Sequence, residues 1–159
     1  MLKGDSVLLR DLELSDLDFL LHIENNKENW LFGSEERYFS KEELVSYINN
    51  SRSSLVKDKQ YRFVIECYNK SIGFIDLFNY NLNTAEVGVI IDTSYRKKGY
   101  ASEALNLLIN YSFNIIRLDS LKCSVSIDNK ISIRLFEKYG FKLTYSENKI
   151  NYYILENNL

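Results

Sequence analysis

Glu86-Val87-Gly88-Val89-Ile90-Ile91, followed closely by Arg96-Lys97-Lys98-Gly99-Tyr100-Ala101, decides how this chain folds. The first stretch reads as a buried strand. Beyond the second, Ala101, Ala104, Leu105, Leu108 and Ile115 recur at helical spacing, which predicts an amphipathic helix from Gly99 to about Asn114. A basic, glycine-containing turn that opens a helix is suited to anions. Its backbone N–H groups have no partner inside the helix, and the helix dipole favours negative charge at that end. Cationic side chains beside such a turn point to a pyrophosphate. The triple-glycine dinucleotide spacing and the Gly-Lys-Ser/Thr of a nucleotide-triphosphate loop are both missing here.

Working outward, Val7-Leu8-Leu9-Arg10 reads as a first strand. Ser15 is placed as the cap of a helix that turns Leu17, Leu20 and Leu21 inward. Ser40 with Glu43 forms a capping box ahead of Leu44 and Ile48. Arg62 to Cys67, Ile72 to Phe78 and the strand at Glu86 form an antiparallel meander. Leu121 to Ile127 is a further strand. Asp128 or Asn129 caps a helix that Gly140 ends, and two last strands close the chain. The order β-α-α-β-β-β-α-β-α-β-β predicts an α+β fold: a mixed, mostly antiparallel sheet flanked by about four helices, in one domain over residues 1–159.

Bulk properties narrow the function. Of the 159 residues, 45% are apolar and 26% charged, as in an ordinary globular chain. A net charge of −2 argues against nucleic acid as a partner. No apolar run approaches the roughly 20 residues that span a bilayer, and the N-terminus lacks a signal-peptide core, so a cytoplasmic protein with no membrane association is expected. Cys67 and Cys123 show no ligand spacing and are expected to be free and buried. One histidine, His22, excludes a multi-histidine metal centre, and no metal is expected. Its apolar neighbours make it a surface or core-edge residue rather than a catalytic one.

The basic turn gains specificity from its partner element. Asn129, Ser132, Leu135-Phe136-Glu137-Lys138 and Tyr139-Gly140-Phe141 place a polar helix start and a Gly-Phe helix end one strand further on. With both elements in view, nearly the whole chain resembles the GNAT superfamily of acyl-CoA-dependent N-acetyltransferases, nearest the branch of spermidine/diamine and ribosomal-protein N-terminal acetyltransferases. The resemblance implies a splayed sheet with acetyl-CoA as co-substrate. It implies donor contacts from Val89, Ile90, Ile91, Arg96, Lys97, Lys98, Gly99, Tyr100, Ala101, Ser102, Asn129, Ser132 and Phe136. The strands at Glu86 and Leu121 would then run parallel and part, with the pantetheine arm between them. Backbone donors near Val89 or Ile90 would polarise the thioester carbonyl.

An acceptor amine is mostly protonated at neutral pH and must lose a proton, directly or through water. Glu86, alternating with Ala85 and Val87, is the candidate base, and Asp76 is the second choice. Many enzymes of the superfamily carry a tyrosine seven residues after the motif asparagine as acid for the leaving thiolate; here Phe136 stands there, as it often does in the ribosomal-protein branch. The stretch 24–44 is acidic and aromatic, which suits a cationic acceptor. Glu35, Glu36, Tyr38 and Glu43 match positions near the polyamine site of spermidine/diamine acetyltransferases. The expected substrate is a polyamine-like primary amine and the expected assembly a homo-oligomer. The alternatives are a protein N-terminus, an aminoglycoside-type amine, or an acyl-CoA-binding module without catalysis.

Overall fold

The structure, a computed structural model, describes residues 1–32, 36–51 and 54–158. One sheet of eight strands runs through it in the order β1-β2-β3-β4-β5-β6-β8-β7. β1 is Leu2–Lys3, β2 Val7–Asp11, β3 Tyr61–Cys67, β4 Lys70–Asn81, β5 Thr84–Ile91, β6 Ser120–Ser126, β7 Lys142–Glu147 and β8 Ile150–Glu156. Every neighbouring pair is antiparallel except β5 with β6, which is parallel. The expected helices appear as α1 (Leu17–Glu24), α2 (Lys41–Asn50), α4 (Tyr100–Asn110) and α5 (Lys130–Lys138), with a single additional turn, α3 (Leu55–Asp58).

Strand alternation divides the apolar side chains between two layers. On one face Leu9, Ile65, Ile75, Leu77 and Val87 pack against Ala104, Leu105 and Leu108 of α4. On the other face Val64 and Phe74 pack against Leu20 and Ile23 of α1 and Leu44 and Ile48 of α2. Each such side chain, once buried, contributes roughly 1.5–3 kcal/mol of transfer free energy.

Three local expectations meet tertiary structure. Ser40 and Glu43 form the predicted capping box, with Glu43 N–H donating to Ser40 Oγ at 3.1 Å and Ser40 N–H to Glu43 Oε1 at 3.2 Å. Ser15 is not a helix cap. Asp16 takes over that corner, because its carboxylate accepts Glu13 N–H at 2.9 Å and two Arg10 nitrogens at 2.9 and 2.8 Å. The helix after Gly99 is α-helical only to Asn110 and continues as a π-turn over Tyr111–Ile115, closed by Ile116 N–H to Tyr111 C=O at 3.1 Å. The extra residue rotates the apolar stripe, so Ile115, expected on the inner face, is 67% exposed.

The end of α5 explains Phe136. Gly140, at φ +92°, forms the left-handed stop that was expected. Gly140 N–H donates to Glu137 C=O at 3.0 Å and Phe141 N–H to Phe136 C=O at 3.2 Å, the two bonds of a Schellman motif. The hydrophobic contact that accompanies this motif is Phe136 against Phe141, edge to face at 5.1 Å. Phe136 is 4% exposed and belongs to the core. Phe136→Ala is expected to destabilise the fold by about 3–5 kcal/mol, read as a lower urea midpoint at unchanged slope.

Candidate active site

β5 and β6 pair only at Thr84↔Ser120, Ala85↔Leu121 and Glu86↔Lys122. Beyond that point β5 follows β4 as far as Gly73↔Ile91, while β6 follows β8 as far as Ser126↔Ile150. The two strands therefore part, as expected, and the β6-facing backbone edge of Val87–Ile91 lines a wedge inside the sheet. Such an edge is a template for an extended, hydrogen-bonding ligand.

The basic turn stands at the end of β5. Lys97 (φ +62°) and Gly99 (φ +84°) both take the left-handed conformation. A Cβ at Gly99 would meet nothing within 4 Å, so glycine serves the backbone twist and leaves the approach to the helix start open. The first backbone bond into α4 is Glu103 N–H to Gly99 C=O at 3.1 Å, so the N–H groups of Tyr100, Ala101 and Ser102 precede the helical ladder. Lys97 and Lys98 are exposed beside them. The one acid of this first turn is held elsewhere: Glu103 Oε1 accepts Ser6 N–H at 2.7 Å and Val7 N–H at 3.0 Å. The turn is a basic anion cradle.

The other residues expected to contact the donor have partners within the fold. Arg96 reaches inward, donating from Nε to Ile91 C=O at 2.8 Å and from Nη2 to Asn29 Oδ1 at 2.7 Å. Ser102 Oγ lies 2.7 Å from Tyr139 Oη and accepts Lys138 Nζ at 3.0 Å, while Tyr139 Oη donates to Ser102 C=O at 2.8 Å. Tyr139 thus ties the end of α5 to the start of α4. Asn129 caps α5 by accepting Ser132 N–H at 3.2 Å. Phe136 packs on Phe141, so its ring serves the core.

Carboxylates gather on the α1–α2 face. Phe74, Asp76 and Phe78 of β4 stand beside Ile90, Gly88 and Glu86 of β5 in register. Asp76 lies over Gly88, where a Cβ would come within 2.7 Å of Asp76 Oδ1. Burial pushes the Asp76 carboxyl above its ordinary range, Arg62 opposes that shift, and Glu24 adds to it. Arg62 joins two acids, with Nη1 2.7 Å from Glu24 Oε1 and Nη2 3.8 Å from Asp76 Oδ2. Burial alone would lower the Arg62 pKa, but Tyr47, Asp76 and Glu24 hold it firmly cationic. Its guanidinium also lies 5.4 Å from the Tyr47 ring and 5.5 Å from the Phe74 ring. Glu86 Oε2 accepts Asn79 Nδ2 at 2.6 Å. A separate cleft of about 490 Å³ opens beside Asp11, Glu13 and Ser15; it reaches Arg62 but not Asp76 or Glu86.

The expected acceptor residues divide. Glu35 lies outside the described residues. Glu36 is exposed, and Tyr38 stacks edge-on against Trp30 at 5.5 Å. Glu43 pairs with Arg37 at 2.7 Å besides completing its capping box. The sequence reading missed Arg62, Tyr47 and Asn29. Arg62 carries one legible sign, since it alternates in phase with inward-facing Val64 on β3. His22 is exposed, with Nε2 3.2 Å from Asp92 Oδ1, and Cys67 and Cys123 are free and buried. Among the described residues no cluster of metal-binding side chains occurs, and no helix is long and apolar enough to cross a membrane.

A splayed parallel pair, an anion cradle at its mouth and a buried acidic pocket together describe a group-transfer enzyme. Residues 6–142 match the acetyltransferase (GNAT) domain, and the chain belongs to that family of acetyltransferases. It is 33% identical over 141 residues to the spermidine N(1)-acetyltransferase of Vibrio cholerae, covering 87% of this chain and 80% of that one. It superposes on a crystal structure of spermidine N-acetyltransferase from Vibrio cholerae, in complex with CoA and spermine, with a TM-score of 0.85, 26% identity and 97% of each chain covered. A ribosomal L7/L12 N-terminal protein acetyltransferase shares the fold, with a TM-score of 0.82 at 18% identity over 96% of this chain and 95% of that one.

Removing the Arg62 charge would leave buried Glu24 and half-buried Asp76 without their partner. Arg62→Met is expected to cost about 3–5 kcal/mol at pH 7. Asp76, whose pKa is raised, takes up a proton as the pH falls and then needs no counter-charge, so the deficit shrinks toward acid. Urea melts at pH 7 and pH 5 check both the size and the sign.

Proposed function

We propose that this enzyme acetylates a di- or polyamine at a primary amino group, with acetyl-CoA as donor. The observation that carries the acceptor is the pair of acids, half-buried Asp76 and buried Glu24, sharing the Arg62 charge beside the rings of Tyr47 and Phe74. Two carboxylates against one guanidinium leave an excess negative charge in a partly apolar pocket, which attracts an ammonium group. The spermidine acetyltransferase relatives support the same acceptor class. The exposed Glu36 and Tyr38 lie on the stretch between α1 and α2, where a second cationic group of the same molecule would meet them.

The residues present fit the donor. The cradle at Lys97–Ser102 suits the pyrophosphate, and the open edge of Val87–Ile91 suits the amide-bearing arm. In the transfer, the amine nitrogen attacks the thioester carbonyl carbon, the C–S bond breaks, and CoA leaves as thiolate while the nitrogen gives up a proton. Glu86 stands at the point where β5 and β6 part and takes that proton through water. A thiol of pKa ~8.5 leaves tolerably without an acid, so Phe136 in place of a tyrosine raises the barrier by about 2 kcal/mol. Free buried cysteines accord with a reducing cytoplasm.

A panel of amines assayed with acetyl-CoA for free-thiol release tests the acceptor. Turnover is expected with spermidine and short diamines; turnover confined to N-terminal peptides would overturn the polyamine reading. Glu86→Gln is expected to lower kcat by about 10²-fold with acetyl-CoA affinity unchanged.

Ionised Asp76 binds the cation, so kcat/KM for the amine is expected to rise with pH through a value above the ordinary aspartate range. In Asp76→Asn the profile loses that acidic limb and KM rises. A pH series on the two proteins measures this.

A further inference from the structure

We propose that Asn29 is a positioning residue that couples the donor cradle to the acceptor loop. Asn29 is wholly buried, at 0% exposure, in the 3₁₀ segment Lys27–Phe32 that leaves α1 for the acceptor side. Its Nδ2 donates to Ile23 C=O in the last turn of α1 at 3.1 Å. Its Oδ1 accepts Arg96 Nη2 at 2.7 Å. Arg96 is the first residue of the basic turn, and its Nε is fixed on Ile91 C=O at the end of β5 at 2.8 Å. One planar guanidinium therefore spans the end of the open strand edge and the segment that carries the acceptor loop.

The segment is itself well tied. Trp30, next in sequence, donates from Nε1 to Glu24 C=O at 3.1 Å, and its ring meets Tyr38. The Glu24 carboxylate is the partner of Arg62 beside Asp76. At the base of the loop Asn25 pairs with Phe39 in both directions, Oδ1 accepting Phe39 N–H at 2.8 Å and Nδ2 donating to Phe39 C=O at 3.1 Å. Asn29 is thus a buried side chain that joins Arg96 to this assembly. An anion that fixes the backbone of Arg96–Gly99 fixes the Arg96 guanidinium, and through Asn29 it fixes Trp30 and the acid pocket. Donor and acceptor sites linked this way bind with a mutual coupling free energy.

This inference rests on the reading that the turn holds acetyl-CoA, and the test separates the two. Trp30 is the one tryptophan of the chain, so intrinsic emission reports on this segment directly. CoA is titrated into the protein, with calorimetry giving its Kd independently. The wild type is expected to show a saturable change in Trp30 emission whose midpoint equals that Kd. Asn29→Ala is expected to bind CoA within about threefold of wild type and to lose most of the emission change. If Asn29→Ala does not fold, Arg96→Lys replaces it: lysine lacks the planar fork that bridges Ile91 and Asn29, and most of the response is expected to be lost. Overturning results are a silent Trp30 in wild type that binds CoA, or a full response in Asn29→Ala or Arg96→Lys. Failure of the wild type to bind CoA would remove the donor reading itself, and this inference with it.

Discussion

Everything functional in this fold depends on a backbone constraint. β5 and β6 are parallel neighbours for three residues and then separate, each held by a full antiparallel ladder on its other side. Neither strand can swing back to close the gap without breaking its outer ladder. The interior of the sheet is left with main-chain groups that need an extended partner, since unpaired backbone polar groups away from water are costly. The helix start that follows β5 sits at the mouth of the same gap, and the carboxylates of β4 and β5 line it on the α1–α2 face.

Electrostatics divides the two ends of this gap. At the turn, lysines and helix-start N–H groups stand together, and the acid of the first helical turn, Glu103, is committed to the backbone N–H groups of Ser6 and Val7. On the α1–α2 face, half-buried Asp76 and buried Glu24 stand with one arginine between them. Positive and negative charge are thereby kept on separate parts of the sheet. The acid pocket is expensive: burial holds Asp76 above its ordinary range, and Arg62 prevents the cost from rising further.

The position of Phe136 is decided by packing. It supplies the hydrophobic contact of a Schellman motif, which holds the end of α5 in the core. The Tyr139 hydroxyl, close by, is spent on joining the end of α5 to the start of α4.

Local chemistry was legible in the sequence wherever a short segment carries its own signal. The alternation in β3, β4 and β5, the Ser40 capping box, the Gly140 stop and the basic turn after Ile91 all depend on neighbours within a few residues, and so does the order of elements that defines the α+β sheet. Contacts between distant segments were not legible. Ser15 lost its capping role because Arg10 delivered a guanidinium to Asp16, and Ile115 left the core because a π-turn shifted the helix phase. Arg96 found a partner in Asn29, 67 residues away in sequence. Arg62 joined Glu24 and Asp76 into one charged cluster. Backbone propensity and hydrophobic period act within a single element, so one strand of sequence determines them. The direction of a long charged side chain is set by which partners folding brings within about 3 Å, and only the tertiary structure decides that.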